Sequence, residues 1–206
     1  MSEVFAMTDA NSKLARPIIE AAVRLFKKNG FENVSVNDIC TEAGIARSSF
    51  YRVFSGKKEI ISTVLEDARS IHNATVGDLL DAENDFERMW ALCDRNLTIV
   101  LDFGPELTGS LLSMELSEAF GIMDIIHGMD AWLIKLTKNA QKAGIILNPE
   151  APEVLAPLVT DLMYQVTYDW CRCKGGFSLR QKARTWAEVA FYVAPEYRWG
   201  PEKAIK

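Results

Sequence analysis

Residues 35–58, SVNDICTEAGIARSSFYRVFSGKK, constrain the fold more than any other stretch, because two short helical patterns meet there across a single glycine. Ser35 suits a helix N-cap, and Asp38 stands three residues on, where its carboxylate reaches back as in a capping box. Val36, Ile39, Cys40 and Ala43 recur at helical spacing and form one apolar face. Gly44 follows at the position where a left-handed residue stops a helix, and Ile45 plugs the angle beyond it. Residues 46–52 form the second helix. It turns Phe50 and, one turn on, Phe54 inward, and leaves Arg47, Ser48, Ser49, Tyr51 and Arg52 outside. Two short helices joined by a tight turn, the second with a polar, basic and aromatic face, are the plan of a helix-turn-helix. In that plan the second helix enters the major groove of DNA.

The stretch AGIARSSFYRVFSGKKE resembles the signature of the TetR family of bacterial transcriptional regulators, which runs approximately AGVSxGTLYxYFxSKE. Ala43, Gly44, Tyr51, Phe54 and Lys57 fall on its most typical positions, with Ser49 where Thr is common and Phe50 where Leu is common. Ala46 replaces the usual Ser, so the second helix loses its capping oxygen, at a cost of about 1 kcal/mol. Ser48 replaces a frequent Gly, and Lys58 a frequent acid. The specific likeness covers residues 13 to about 72; beyond it only helix number and length agree.

The resemblance implies an all-α chain: an N-terminal three-helix helix-turn-helix domain plus a larger C-terminal helical ligand-binding and dimerisation domain. On this reading residues 1–12 are a flexible arm and 13–58 the DNA-binding domain, with its recognition helix at about 46–52. Residues 59–206 are the effector and dimer domain, reached through a connecting helix at 57–73. Arg47 and Ser48 open the recognition helix, where side chains reach base edges. Ser35, Ser49, Tyr51 and Lys57 are expected on phosphates, with Arg52 beside them. The implied partners are double-stranded DNA with a palindromic operator, a second copy of the chain, and a small, largely apolar effector of unknown identity. No cofactor is expected.

Charge agrees with this division. The chain carries a net charge of −5, but residues 1–58 hold nine Lys/Arg against six Asp/Glu, a net +3, while residues 59–206 hold 14 against 22, a net −8. A basic small domain beside an acidic large one keeps DNA on one face. A domain of only +3 binds usefully when two copies act together. No nucleophile–base–acid set, phosphate loop or metal cluster is apparent, so an enzyme is not expected. The polar, mixed-charge start does not read as an export signal. No run approaches 18 apolar residues, so no membrane span is expected and the reading is cytoplasmic. Cys40, Cys93, Cys171 and Cys173 do not form a zinc pattern, and read as thiols in a reducing compartment.

Beyond residue 73 the pattern is helical throughout. Residues 74–85 read as a polar linker, and helices fit 85–102, 105–119, 121–143, 153–174 and 179–194. Pro105, Gly121, Pro149, Pro152 and Gly175-Gly176 punctuate them. The helices at 153–194 are expected to build a dimer. The first is apolar on more than one face, with Leu158 and Leu162 among its residues. The second carries an alanine stripe of Ala183, Ala187 and Ala190 beside Trp186, which would let a partner helix approach closely. The middle helices are expected to hold the effector. Met89, Trp90, Met114, Met123 and Trp132 supply adaptable apolar walls, and His127 lies between Asp124 and Asp130. Two alternatives stand beside an effector-released repressor: a thiol-responsive regulator, and a helical interaction protein of the same fold that has lost DNA binding.

Overall fold

The computed structural model describes residues 12–74, 82–117 and 130–199. The expected arm up to residue 11, most of the expected linker and residues 121–129 of the expected helix lie outside them. The helices are α1 (Ser12–Asn29), α2 (Val36–Ala43), α3 (Arg47–Tyr51), α4 (Lys57–Ala74), α5 (Asp85–Ser117), α6 (Asp130–Lys142), α7 (Pro152–Arg172) and α8 (Leu179–Ala190), followed by a 3-10 turn at Pro195–Tyr197. The fold is all-α. Among the described residues, extended pairing is confined to an isolated antiparallel bridge between Ile146 and Val193.

The chain divides into two compact units. One holds Met1–Ala74 and Asp102–Ile122, the other Thr75–Leu101 and Met123–Lys206. The division cuts α5, and the sequence shows why. Gly104 inside it has φ 78 and ψ 166, a non-helical conformation, and Pro105 follows. That combination is essentially restricted to glycine, and a proline at the next position supplies no amide to bridge the break. The expected helices at 85–102 and 105–119 are therefore two segments of one interrupted helix, belonging to different units.

In the first unit, α1 packs on α2 and α4, and α2 on α3. Ile18, Ile19, Ala22 and Phe26 of α1 are fully buried, as are Ile39, Phe50 and Ile60. The helical period of the sequence thus becomes a continuous core. The second segment of α5 adds buried Leu107, Leu111 and Leu112. α4 starts on a capping arrangement, with the Ser55 amide and hydroxyl donating to Glu59 at 2.6 and 2.7 Å.

In the second unit, α7 packs against both α6 and α8. The expectation for the alanine stripe is corrected here. Ala183 and Ala187 are fully buried within one chain's own core, among residues such as Leu155, Val159 and Val166. Their small side chains admit helices of the same unit, and no face remains there for a partner. Ala190 is partly buried against that core. α8 also ends at Ala190 and not near 194, because Tyr192 turns to φ 49 and the chain then pairs with residues 145–147.

Beside the stripe sits a buried cation that the sequence did not announce. Arg184, 1% exposed, donates to Glu188 at 2.6 Å and to both carboxylate oxygens of Glu87 at 2.6 and 3.0 Å. Its guanidinium lies 4.6, 5.2 and 4.9 Å from the ring centroids of Phe86, Trp90 and Trp199. Trp199 donates its own amide to Glu188 at 2.9 Å, so this one cation ties the segment after α8 to α5. Bidentate pairing and stacking are what make a buried guanidinium tolerable.

The break in α5 yields a direct expectation. A Cβ at Gly104 would meet nothing within 4 Å, so any cost of Gly104→Ala is backbone strain alone. The substitution should destabilise the protein by about 1–3 kcal/mol, read as a lower urea midpoint. An unchanged midpoint would show that the break is not strained for other residues.

Candidate nucleic-acid interface

The helix-turn-helix forms through local contacts. The Ser35 side chain accepts from the Asp38 amide at 3.2 Å, and the Ser35 amide donates to the Asp38 carboxylate at 2.8 Å. The Ser35 hydroxyl also donates to that carboxylate, at 2.6 Å. These bonds hold the Asp38 carboxyl below its ordinary pKa, the side-chain bond first and the backbone bond second. Gly44 stops α2 at φ 66, and its amide bonds the carbonyl of Thr41 at 3.2 Å. α3 begins on Ala46, extended at φ −74 and ψ 149, with no side-chain cap. Phe50 is fully buried and Phe54 is 4% exposed, with ring centroids 6.1 Å apart. They anchor α3 from below, which leaves its other face to solvent.

On that face Arg47, Ser48, Tyr51 and Arg52 are exposed and Ser49 is half-buried. Arg47 leans on Tyr51: its guanidinium lies 5.9 Å from the ring centroid and donates to the hydroxyl at 3.5 Å. Four polar residues thus stand on one short helix, with Arg52 at its C-cap, above a buried aromatic pair.

Two residues expected at phosphates spend their donors inside the chain. Ser35 is exposed, but its amide and its hydroxyl hydrogen both go to Asp38, leaving it no donor for a phosphate. Lys57 turns back into its own unit, where its ammonium donates to the carbonyls of Phe31, Val34 and Glu32 at 2.7, 3.0 and 3.3 Å. An ammonium has three hydrogens, so these three acceptors saturate it. Its nitrogen also stands 4.3 Å from the centroid of the Phe31 ring.

The expected effector residues that the structure describes fall in both units. Met89 and Trp90 lie in the core of the second unit, at 1% and 5% exposure. Met114 is buried but belongs to the first unit, because the break at Gly104 separates it from them. Trp132 is 55% exposed, since the helical period of α6 turns Leu133, Leu136, Thr137 and Ala140 inward and Trp132 outward. Met123 and His127 lie outside the described residues. Of the expected dimer residues, Leu158 is exposed, while Leu162, Trp186 and Ala190 are partly buried against the core. Further exposed apolar side chains flank them: Val154 and Tyr168 on α7, and Val189 on α8.

Residues 18–64 match the family model described as bacterial regulatory proteins, tetR family. An HTH-type transcriptional regulator from Haemophilus influenzae, of uncharacterised role, is 25% identical over 142 residues, covering 68% of this chain and 74% of that protein. YvdT of Bacillus subtilis, likewise an uncharacterised HTH-type regulator, is 29% identical over 77 residues; the match spans only 38% of that relative's length and 37% of this chain. Among solved structures, AibR in complex with isovaleryl coenzyme A and operator DNA has the same fold. It shows a TM-score of 0.61 at 21% identity, over 88% of this chain and all of that one.

The missing cap on α3 can be supplied. Ala46 is exposed and already in the extended conformation of an N-cap residue. Ala46→Ser should therefore raise stability by about 1 kcal/mol, measured by urea denaturation; no gain would mean that α3 is fixed by Phe50 alone.

Proposed function

The chain belongs to the TetR family of bacterial transcriptional regulators, a DNA-binding helix-turn-helix family, and on that premise we propose that it is a repressor released from a palindromic operator by a small, largely apolar effector. The observation that carries the DNA half of the reading is α3: a short helix anchored by Phe50 that holds Arg47, Ser48, Tyr51 and Arg52 in solvent. Its length and exposure suit insertion into a major groove, with Arg47 at the N-terminal end where base edges are read. Ser49, Tyr51 and Arg52 serve the flanking phosphates. Residues 13–58 act as the reading head and 59–206 as the effector and dimer domain, in the cytoplasm. AibR, solved in complex with isovaleryl coenzyme A and operator DNA, supports an effector with an apolar acyl portion.

A thiol-responsive mechanism, the alternative reading, would have to use the more accessible Cys171 and Cys173. Burial pushes the Cys93 thiol up to about 12, leaving it almost no thiolate, and Cys40 is buried inside α2. Reactive cysteines are exposed and low in pKa.

The exposed apolar residues of α7 and α8 replace the alanine stripe as the proposed dimer face. Val154, Leu158 and Tyr168 on α7 and Val189 on α8, with Trp186 beside them, would pair two copies about a two-fold axis. That axis sets two copies of α3 about one helical turn apart, roughly 34 Å. Leu158→Glu with Val189→Glu should yield a monomer by sedimentation and lose operator binding; a double variant that stays dimeric would remove this face from the proposal.

The reading role of α3 is tested by binding to the chain's own upstream DNA. Arg47→Ala should weaken binding about tenfold to a hundredfold and relax preference at one position per half-site. Equal weakening on operator and on random DNA would defeat it.

A further inference from the structure

The segment between α1 and α2 has a backbone that helices alone do not satisfy. Gly30 closes α1 at φ 78, with its amide on the Phe26 carbonyl at 2.9 Å. The next amide, that of Phe31, is beyond the helix. It donates to the hydroxyl of Ser110 at 3.3 Å, across 79 residues of sequence. Ser110 spends its own hydrogen on the Glu106 carbonyl at 3.0 Å, so its oxygen is oriented to accept. The carbonyls of the same segment, Phe31, Glu32 and Val34, go to the Lys57 ammonium. Phe31 itself is 1% exposed, its ring against Phe26 at 5.0 Å and beneath the Lys57 ammonium. Residues 31–34 are thus held from both sides, by the first residue of α4 and by the second segment of α5.

What this segment carries is the start of α2. Val34 directly precedes Ser35, whose side chain caps that helix. α2 in turn packs on α3. The orientation of the recognition helix therefore depends on where residues 31–34 are pinned. The Phe31 amide and the carbonyls of Phe31 and Val34 sit in part-buried contacts, where a backbone group left without a partner costs free energy, so these bonds favour one position of the segment.

We propose that Lys57 and Ser110 are positioning residues for base recognition: together they clamp residues 31–34 and set the angle of α2 and α3, and neither touches DNA. This rests on α3 being the reading helix. It assigns Lys57 a role in specificity and not in phosphate binding, and it adds Ser110, which lies well outside the helix-turn-helix.

The two roles differ in what they do to salt dependence and to selectivity. A lost phosphate contact weakens every sequence alike and lowers the slope of log K against log salt by about one unit per subunit. A lost clamp leaves the charges that face DNA in place and misaims the base-reading side chains. Partial unfolding is distinguishable from both, because it lowers affinity for all duplexes by the same factor and leaves their ratio unchanged.

The experiment uses the full-length chain and two duplexes: one recovered from a random pool by selection with the wild-type protein, and one of equal length and random sequence. Lys57→Met, Lys57→Arg and Ser110→Ala are each titrated over a range of salt. The clamp predicts that Lys57→Met and Ser110→Ala both lower the selected-to-random affinity ratio about tenfold, with the slope on random DNA shifted by under about half a unit. Lys57→Arg, which keeps donors for the carbonyls, should retain most of the ratio. If Lys57→Met lowers both affinities equally and reduces the slope by about one unit, Lys57 is a phosphate contact and the proposal is overturned. An unchanged ratio for Ser110→Ala overturns the other half of the clamp, even if Lys57→Met fails to fold. Failure of the wild type to select any sequence would instead strike the DNA-reading role of α3.

Discussion

An ammonium group has three hydrogens, and at the start of α4 all three point at backbone carbonyls of one loop. Much of the first unit hangs on that arrangement. The loop leaves α1 through a left-handed glycine, presents a buried phenylalanine, and delivers Ser35 to the cap of α2. With its carbonyls held by Lys57 and its first free amide by Ser110, the loop has little freedom left. α2 and α3 then follow from short-range rules: a capping box, a left-handed glycine, and an aromatic pair beneath the exposed face. A helix of five residues could not stand alone in water; α3 exists because its underside is fixed to a core that is itself pinned.

What was legible in the sequence was local. The Ser35–Asp38 box, the Gly44 stop, the inward turn of Phe50 and Phe54 and the uncapped Ala46 all involve residues within four positions of each other, and spacing alone reveals them. Helix existence was likewise readable from period and punctuation. What was not legible was the partner of each helix face. The alanine stripe at 183 and 187 has the same appearance in sequence whether it faces its own core or a second copy, because small residues serve both. Trp132 and Met89 both read as apolar walls, yet one is exposed and one buried. The Ser110 contact joins residues 79 apart, and no periodic pattern reports it. Lys57 fell on a family position expected at phosphate, but its side chain is long enough to fold back onto carbonyls, and those oxygens are invisible to side-chain patterning.

The two units also divide the chemistry. The basic excess lies in residues 1–58, where α3 is exposed, and the acidic excess lies beyond. Within the second unit a cluster of charges is turned inward: Arg184 pairs with Glu87 and Glu188 and is enclosed by three aromatic rings. Such a buried group fixes the packing of α5 against α8 more than it adds net stability. The interruption at Gly104 places the two halves of α5 in different units.

The proposed function rests on DNA being read by two symmetric copies of α3. Selection of bound duplexes from a random pool by the wild-type protein, followed by hydroxyl-radical footprinting of the recovered sequence, tests it most directly. An inverted repeat is expected, with two protected half-sites centred about one helical turn apart, roughly 34 Å. Recovery of no preferred sequence, or of a single unrepeated site protected by one copy, would contradict it.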